Sequence, residues 1–240
     1  MSNQDNTKEP SINGDMSKRV SVDINEMAWQ PSPSNTVWRK RLHLVGGPES
    51  GQVTSIVMYE KDSQFSAHAH PGGEEILVLA GTFSDDRGDF HAGAYLLNPE
   101  GYSHTPFSKE GGVIFVKLRQ YGGEGREQIV LSTQEMDWKD SDNSGIYVKT
   151  LYSESGYLEV TRLEKWEPGA SPGKITYQGG AEILVLRGAL SDDYGTYHEL
   201  SWLRMPAGSG HTPVSASGCE FYIKTGGVAG LDLRGKNDRF

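Results

Sequence analysis

The sequence predicts an all-β chain folded as two tandem small β domains, each a sandwich or jelly-roll barrel, and three observations lead there. Thirty glycines and eleven prolines are spread among many Val, Ile, Thr and aromatic residues, the composition of short strands joined by tight turns. Apolar residues nowhere recur at helical spacing over a helix's length, so almost no helix is expected. The chain also repeats itself: EILVLAG at 75–81 returns as EILVLRG at 182–188, Ser84-Asp85-Asp86 as Ser191-Asp192-Asp193, and His104-Thr105-Pro106 as His211-Thr212-Pro213, all at one constant offset and without insertion.

Taken in order, residues 1–19 are polar and rich in Asn, Ser, Asp and Gly, a composition expected to form a disordered tail. Residues 20–125 and 126–240 then form the two barrels, each the size of one small domain. Upstream of the constant offset, Glu26-Met27 and Trp29 answer to Glu135-Met136 and Trp138 at a slightly longer spacing, so the halves differ in loop length between. Trp29 and Trp138 are expected to pack under a sheet. The Ser-Asp-Asp turns are expected to cap hairpins rather than hold calcium, since no further carboxylate follows at loop-ligand spacing. His91 and His198 follow those turns beside an aromatic residue, the setting of an exposed or hydrogen-bonded histidine.

The chemistry lies in HAHPGGEEILVLAG, residues 68–81. A strand points alternate side chains to one face, so His68 and His70 can reach a single ion. Pro71, Gly72 and Gly73 reverse the chain and let Glu74 open the next strand with its carboxylate beside the two rings. His104, after the Pro99-Glu100-Gly101 turn, can enter the same pocket from a third direction. Three imidazoles and one carboxylate leave one or two open coordination positions. They suit a divalent transition metal, zinc or iron(II) foremost, with manganese, nickel or cobalt also compatible. By the same alternation Glu75 faces away from the site and has a structural role, such as a buried hydrogen bond, while Ile76, Val78 and Ala80 are expected to line the pocket as an apolar wall.

These residues resemble a known family. His68, His70, Glu74 and Gly81 match His-x-His-x3-Glu-x6-Gly, and Gly93, Pro99, Gly101 and His104 match Gly-x5-Pro-x-Gly-x2-His, the two cupin motifs. Asp62 and Ser108 stand where the motifs carry glycine and asparagine. Within cupins the runs GGEEILVLAGTFSDD and HAGAYLLNPEGYSHTP are most similar to the ChrR-like branch. That branch includes the metal-binding module of an anti-sigma factor and small dioxygenases acting on diketones and hydroxyaryl ketones. The resemblance implies a metal-binding bicupin with a sensory or regulatory role in transcription or the oxidative-stress response, or alternatively a metal-dependent dioxygenase. Contact with a sigma factor is not expected, because nothing in residues 1–19 corresponds to the family's histidine- and cysteine-bearing zinc domain.

At the corresponding positions the second half carries Ile175, Tyr177, Ala181 and His211. A lone imidazole cannot hold a divalent ion, so the second site is vestigial and one metal per chain is expected. The formal net charge of −9, without a Lys/Arg cluster, argues against nucleic acid or an anionic membrane surface as partner. A small-molecule ligand and a monomer or homodimer are expected. No signal-peptide core and no run of about 20 apolar residues occurs. Cys219 is the single cysteine, which excludes an intramolecular disulfide; a structural thiol in a cytoplasmic protein is expected.

Overall fold

The computed structural model describes residues 11–47, 50–123 and 125–228, and every regular element among them is a strand. The first barrel's main sheet runs, in space, Val37–Val45, Gln52–Tyr59, Gly112–Leu118, Glu74–Asp85 and Ala94–Asn98, all antiparallel neighbours. The second repeats this order with Ile146–Ser153, Val160–Trp166, Cys219–Thr225, Ala181–Asp192 and Ser201–Met205. A short two-stranded ribbon closes the open side of each barrel: His68–His70 with Tyr102–His104 in the first, Ile175–Tyr177 with Ser209–His211 in the second. The departures from the motif glycine and asparagine are absorbed locally. Asp62 holds the left-handed φ of +59° that a glycine would adopt. Ser108 donates to the Thr82 carbonyl and accepts from Gly111 N–H.

The hydrogen-bonding boundary between the halves differs from the repeat boundary near residue 125. Val20–Asp23, at the start of the first repeat, pairs with Ser201–Met205 of the second barrel, and Ile129–Ser132, at the start of the second repeat, pairs with Ala94–Asn98 of the first. Each barrel thus covers the other's exposed sheet edge. The disordered tail expected over 1–19 is corrected for residues 11–19; residues 1–10 lie outside the described residues. Ser11–Ile12 pairs with the Val37–Val45 strand, the Asn13 amide donates to Leu42 O at 2.8 Å, and Arg19 reaches Asp192 at 2.5 Å. Its polar side chains order because both barrels supply acceptors, which composition alone cannot show.

Each barrel has its own apolar interior, and a third core lies between the two, formed by Leu42, Ile56, Leu77 and Phe115 of one and Leu163, Leu184, Trp202 and Tyr222 of the other. Two reciprocal ion pairs sit within it. Lys224 of the second barrel donates to Glu75 of the first at 2.7 Å, and Lys117 of the first donates to Glu182 of the second. Lys117 and Lys224 occupy equivalent positions of the repeat, as do Glu75 and Glu182. Tyr95 and Tyr222 hydroxyls complete Glu75, at 2.9 and 2.6 Å, and Trp202 Nε1 completes Glu182 at 2.8 Å. Burial raises the Glu75 pKa, but Lys224 and Lys117 outweigh it and hold the carboxyl below its ordinary value. Glu75 is therefore structural, as its alternation predicts. The repeated tryptophans pack against the same core, and each also carries a buried lysine over its ring: Lys40 at 4.6 Å from Trp29, Lys149 at 4.4 Å from Trp138.

Beside these pairs His43 is fully buried and accepts from Arg204 Nη1 at 3.0 Å across the interface. Burial pushes its pKa down to about 4, with Arg204 and Lys117 adding to the effect.

Two outcomes are expected. Lys224→Met removes the ammonium bonded to the buried Glu75 carboxylate and should lower the unfolding free energy by about 3–5 kcal/mol in urea titrations, against about 0.5 kcal/mol or less for the exposed Lys139→Met. For His43 the unfolded chain takes up a proton near pH 6.5 and the folded chain only near pH 4. Stability is therefore full above about pH 6.5 and falls by about 3 kcal/mol as pH drops to about 4. The pH slope of the urea midpoint should flatten in His43→Leu.

Candidate metal centre

The ribbon and the main sheet bring His68, His70, Glu74 and His104 together. His68 lies directly opposite His104, and His70 opposite Tyr102. The turn between His70 and Glu74 requires its glycines. Gly73 has φ +71°, and a Cβ there would meet the Tyr121 carbonyl at 2.4 Å. One ring nitrogen from each histidine falls within a 4.8 Å cluster. His70 Nε2 and His104 Nε2 are 2.9 Å apart, and Glu74 Oε2 lies 3.6 and 3.7 Å from them. Ligand bonds of about 2.1 Å meeting at a right angle separate two donors by about 3 Å, so this spacing fits one transition-metal ion.

Hydrogen bonds behind the rings fix which nitrogen faces inward. His104 Nδ1–H donates to Asp85 at 3.1 Å and His68 Nδ1–H to the Ser66 carbonyl at 2.8 Å, leaving both Nε2 lone pairs available. Asn98 donates to Glu74 at 3.0 Å and is itself held by Gln128 at 2.9 Å. Burial lowers the His70 pKa and outweighs the nearby Glu74, favouring the neutral form a ligand needs. Burial acts to raise Asp85, yet hydrogen bonds from His104, the Arg87 amide and Tyr102 hold it below its ordinary value, an ionised anchor for His104. Sequence reasoning gave Asp85 only a turn-capping role. The cap exists, Arg87 N–H donating to Asp85 at 2.8 Å, but the other carboxylate oxygen orients the His104 ring. The recurrence of the pair as Asp192 and His211 was the signal available. His91 is exposed and bonded to Thr82, and His198 is exposed.

The cluster opens on a cavity of about 600 Å³ inside the first barrel. Its apolar wall differs from the one expected. Ile76 and Val78 are sealed in the barrel core, outside the cavity lining, and Ala80 is exposed, because a β-bulge between Val78 and Ala80 breaks the alternation of the Glu74–Asp85 strand. The wall comes from neighbouring strands instead, from Val57, Tyr59, Phe65, Phe83, Ile114 and Val116. Burial keeps Tyr59 a neutral phenol, its ring edge-on to Phe65 and Phe83.

In the second barrel Tyr177 stands at the position of His70, and its hydroxyl donates to His211 Nε2 at 3.1 Å while His211 Nδ1–H donates to Asp192 at 2.7 Å. The histidine and its anchoring carboxylate persist, but a phenol takes the inward nitrogen. Ala181 is buried and Ile175 half-buried, and neither offers a donor atom. Only about 50 Å³ of cavity remains, because Ser55, Val57, Tyr59 and Ile114 are answered by Arg162, Glu164, Trp166 and Phe221. Glu164 accepts from Arg162 and Trp166 at 2.8 and 3.0 Å, tying the plug together. Cys219 is buried and its thiol is pushed up to about 11 by that burial, consistent with packing rather than reactivity. No helix is long and apolar enough to cross a membrane among the described residues.

Comparison with solved structures gives a "putative dioxygenase" from Nostoc punctiforme, 15% identical, TM-score 0.72, covering 90% of this chain and 86% of that one. Protein Ylba from E. coli is 17% identical with TM-score 0.67, covering 95% and 98%, and a Bacillus subtilis oxalate decarboxylase variant is 11% identical with TM-score 0.59, covering 86% and 76%. At these identities the likeness is one of fold. No curated protein matches the sequence. The family model described as the ChrR cupin-like domain matches twice, at residues 17–122 and 126–229, so with its two barrels and single cluster of inward imidazoles the chain belongs to the ChrR-like cupins as a bicupin.

Proposed function

We propose that the protein is a metal-dependent enzyme acting on a small molecule inside the first barrel, with dioxygen-dependent cleavage of a diketone or hydroxyaryl ketone as the leading reaction. The observation that carries this reading is the cavity: three imidazoles and a carboxylate face about 600 Å³ of largely apolar space in one barrel, whereas the repeat has filled the same space. A metal that only stapled the barrel would need no such room. The likeness in fold to a "putative dioxygenase" and to oxalate decarboxylase supports an enzyme of this class.

His68, His70, His104 and Glu74 would hold the ion, which when bound supplies Lewis-acid polarisation of a carbonyl or, as iron(II), activation of dioxygen. The protein's own part is positioning. Asp85 and the Ser66 carbonyl fix the ring tautomers, Asn98 holds the Glu74 carboxylate, and the apolar wall of Val57, Phe65, Phe83 and Ile114 would pack against the substrate's carbons. A sensory or regulatory role in transcription or the oxidative-stress response is the second reading, supported by the family's kinship with the anti-sigma module; the cavity weighs for catalysis.

One transition-metal ion per chain is expected by elemental analysis of desalted protein. His104→Ala should lose most of it and His211→Ala little, while Asp85→Asn should weaken metal affinity about 10- to 100-fold through loss of ring orientation. Two ions per chain, or equal losses from the two histidine variants, would contradict the asymmetry. Iron(II)-loaded protein should consume dioxygen when given a chelating β-diketone or hydroxyaryl ketone. Glu74→Ala, which keeps the three imidazoles, should retain part of that activity. An iron-replete protein showing no uptake across a panel of such ketones would sink the catalytic reading in favour of the regulatory one.

A further inference from the structure

Arg119 lines the metal-side cavity and sits at an unusual backbone position. It follows the Gly112–Leu118 strand with φ +60°, in the left-handed region that costs a residue with a side chain about 1 kcal/mol or more. Its equivalent in the second repeat is Gly226, φ +85°, which meets the same backbone demand without strain. The two positions are held alike, Arg119 N–H donating to Gly73 O and Gly226 N–H to Gly180 O, at 2.9 and 3.2 Å. The barrel with the ligand set thus carries an arginine where its repeat carries glycine. Arg119 packs its Cα and Cβ 2.9 and 3.0 Å from where a Cβ on Gly72 would lie, in the turn between His70 and Glu74. No hydrogen bond or ion pair engages its guanidinium among the described residues.

The lining carries one further arginine. Arg39, opposite Val57 in the sheet, also lines it, and its counterpart in the second barrel is Val148, opposite Glu164. Glu74 is the one carboxylate among the described lining residues.

We infer that the first barrel's ligand is an organic acid with an apolar body, its carboxylate paired with Arg119 at the metal end of the cavity and its hydrocarbon part against Val57, Phe65, Phe83 and Ile114. Arginine offers a planar fork that engages a carboxylate through two parallel hydrogen bonds, and in a partly desolvated site such a pair discriminates strongly against a neutral analogue. This rests on the small-molecule reading of the cavity and narrows its substrate class to acids, so the ketones above would bind best when they bear a carboxylate.

The test is calorimetric titration of the full-length protein with 3-phenylpropanoate and with its neutral isostere 3-phenylpropanamide, both as purified and after exhaustive metal removal. The acid should bind at least about tenfold more tightly than the amide in both preparations. Arg119→Met should erase that preference while leaving the amide's affinity unchanged, and Arg119→Lys should keep part of it. Equal affinity for acid and amide, no binding of either, or an acid preference that survives Arg119→Met overturns the inference. Because the metal-free arm is read by heat of binding, its failure leaves the metal reading intact. Failure of the metal reading, seen by elemental analysis, leaves the acid preference measurable.

Discussion

The two ion pairs Lys224–Glu75 and Lys117–Glu182, buried between the barrels, are the constraint on which the rest depends. Charges in such surroundings are tolerated only when every partner is in place, and here each pair needs one residue from each half. Tyr95, Tyr222 and Trp202 complete the coordination of the carboxylates. The arrangement permits one relative placement of the barrels, since sliding either sheet by one residue would strand a carboxylate among Leu77, Phe115 and Leu184. Glu75 adjoins Glu74 on the same strand, so the interface and the placement of Glu74 beside the histidine cluster are set by a single register.

Duplication followed by divergence explains why one barrel holds a histidine cluster beside a cavity and the other does not. Both keep the skeleton of the site, an aspartate from the hairpin turn bonded to a histidine from the ribbon. What separates them is the content of the barrel. Small or apolar residues at 55, 57 and 114 leave room in the first, while Arg162, Glu164 and Phe221 occupy it in the second. The plug is itself polar and paired, so the second barrel exchanges a cavity for an internal hydrogen-bonded cluster and gains a solid scaffold for its partner to lean on.

Much of this was legible in the sequence. The all-β architecture, the duplication, the convergence of His68, His70, Glu74 and His104 and the outward, structural Glu75 all follow from period-two alternation, turn residues and a constant offset. The missing pieces are those in which spacing is locally broken or partners are distant. Ala80 left the predicted wall because one bulge inverted the facing of its strand. Asp85 hid its second role because a turn aspartate has two oxygens and sequence reveals only the nearer acceptor. The order of residues 11–19 depends on Leu42, Arg204 and Asp192, which are far away along the chain.

The exchanged strands set the order in which the molecule can be built on the ribosome. Val20–Asp23 emerges early, but the strand it pairs with, Ser201–Met205, is made roughly 180 residues later, which at ~5–20 residues per second is on the order of 10–40 s. During that interval the nascent first barrel lacks its inter-barrel face and the counter-ion of Glu75, and its leading segment waits unpaired. The edge of Ala94–Asn98, by contrast, is closed as soon as residue 132 is available. Closure of the whole is thus a late, long-range event, with the high contact order that slows folding and exposes a chain to chaperones. The interlocking that makes the finished bicupin hard to pull apart also makes its N-terminal half dependent on the completion of its C-terminal half.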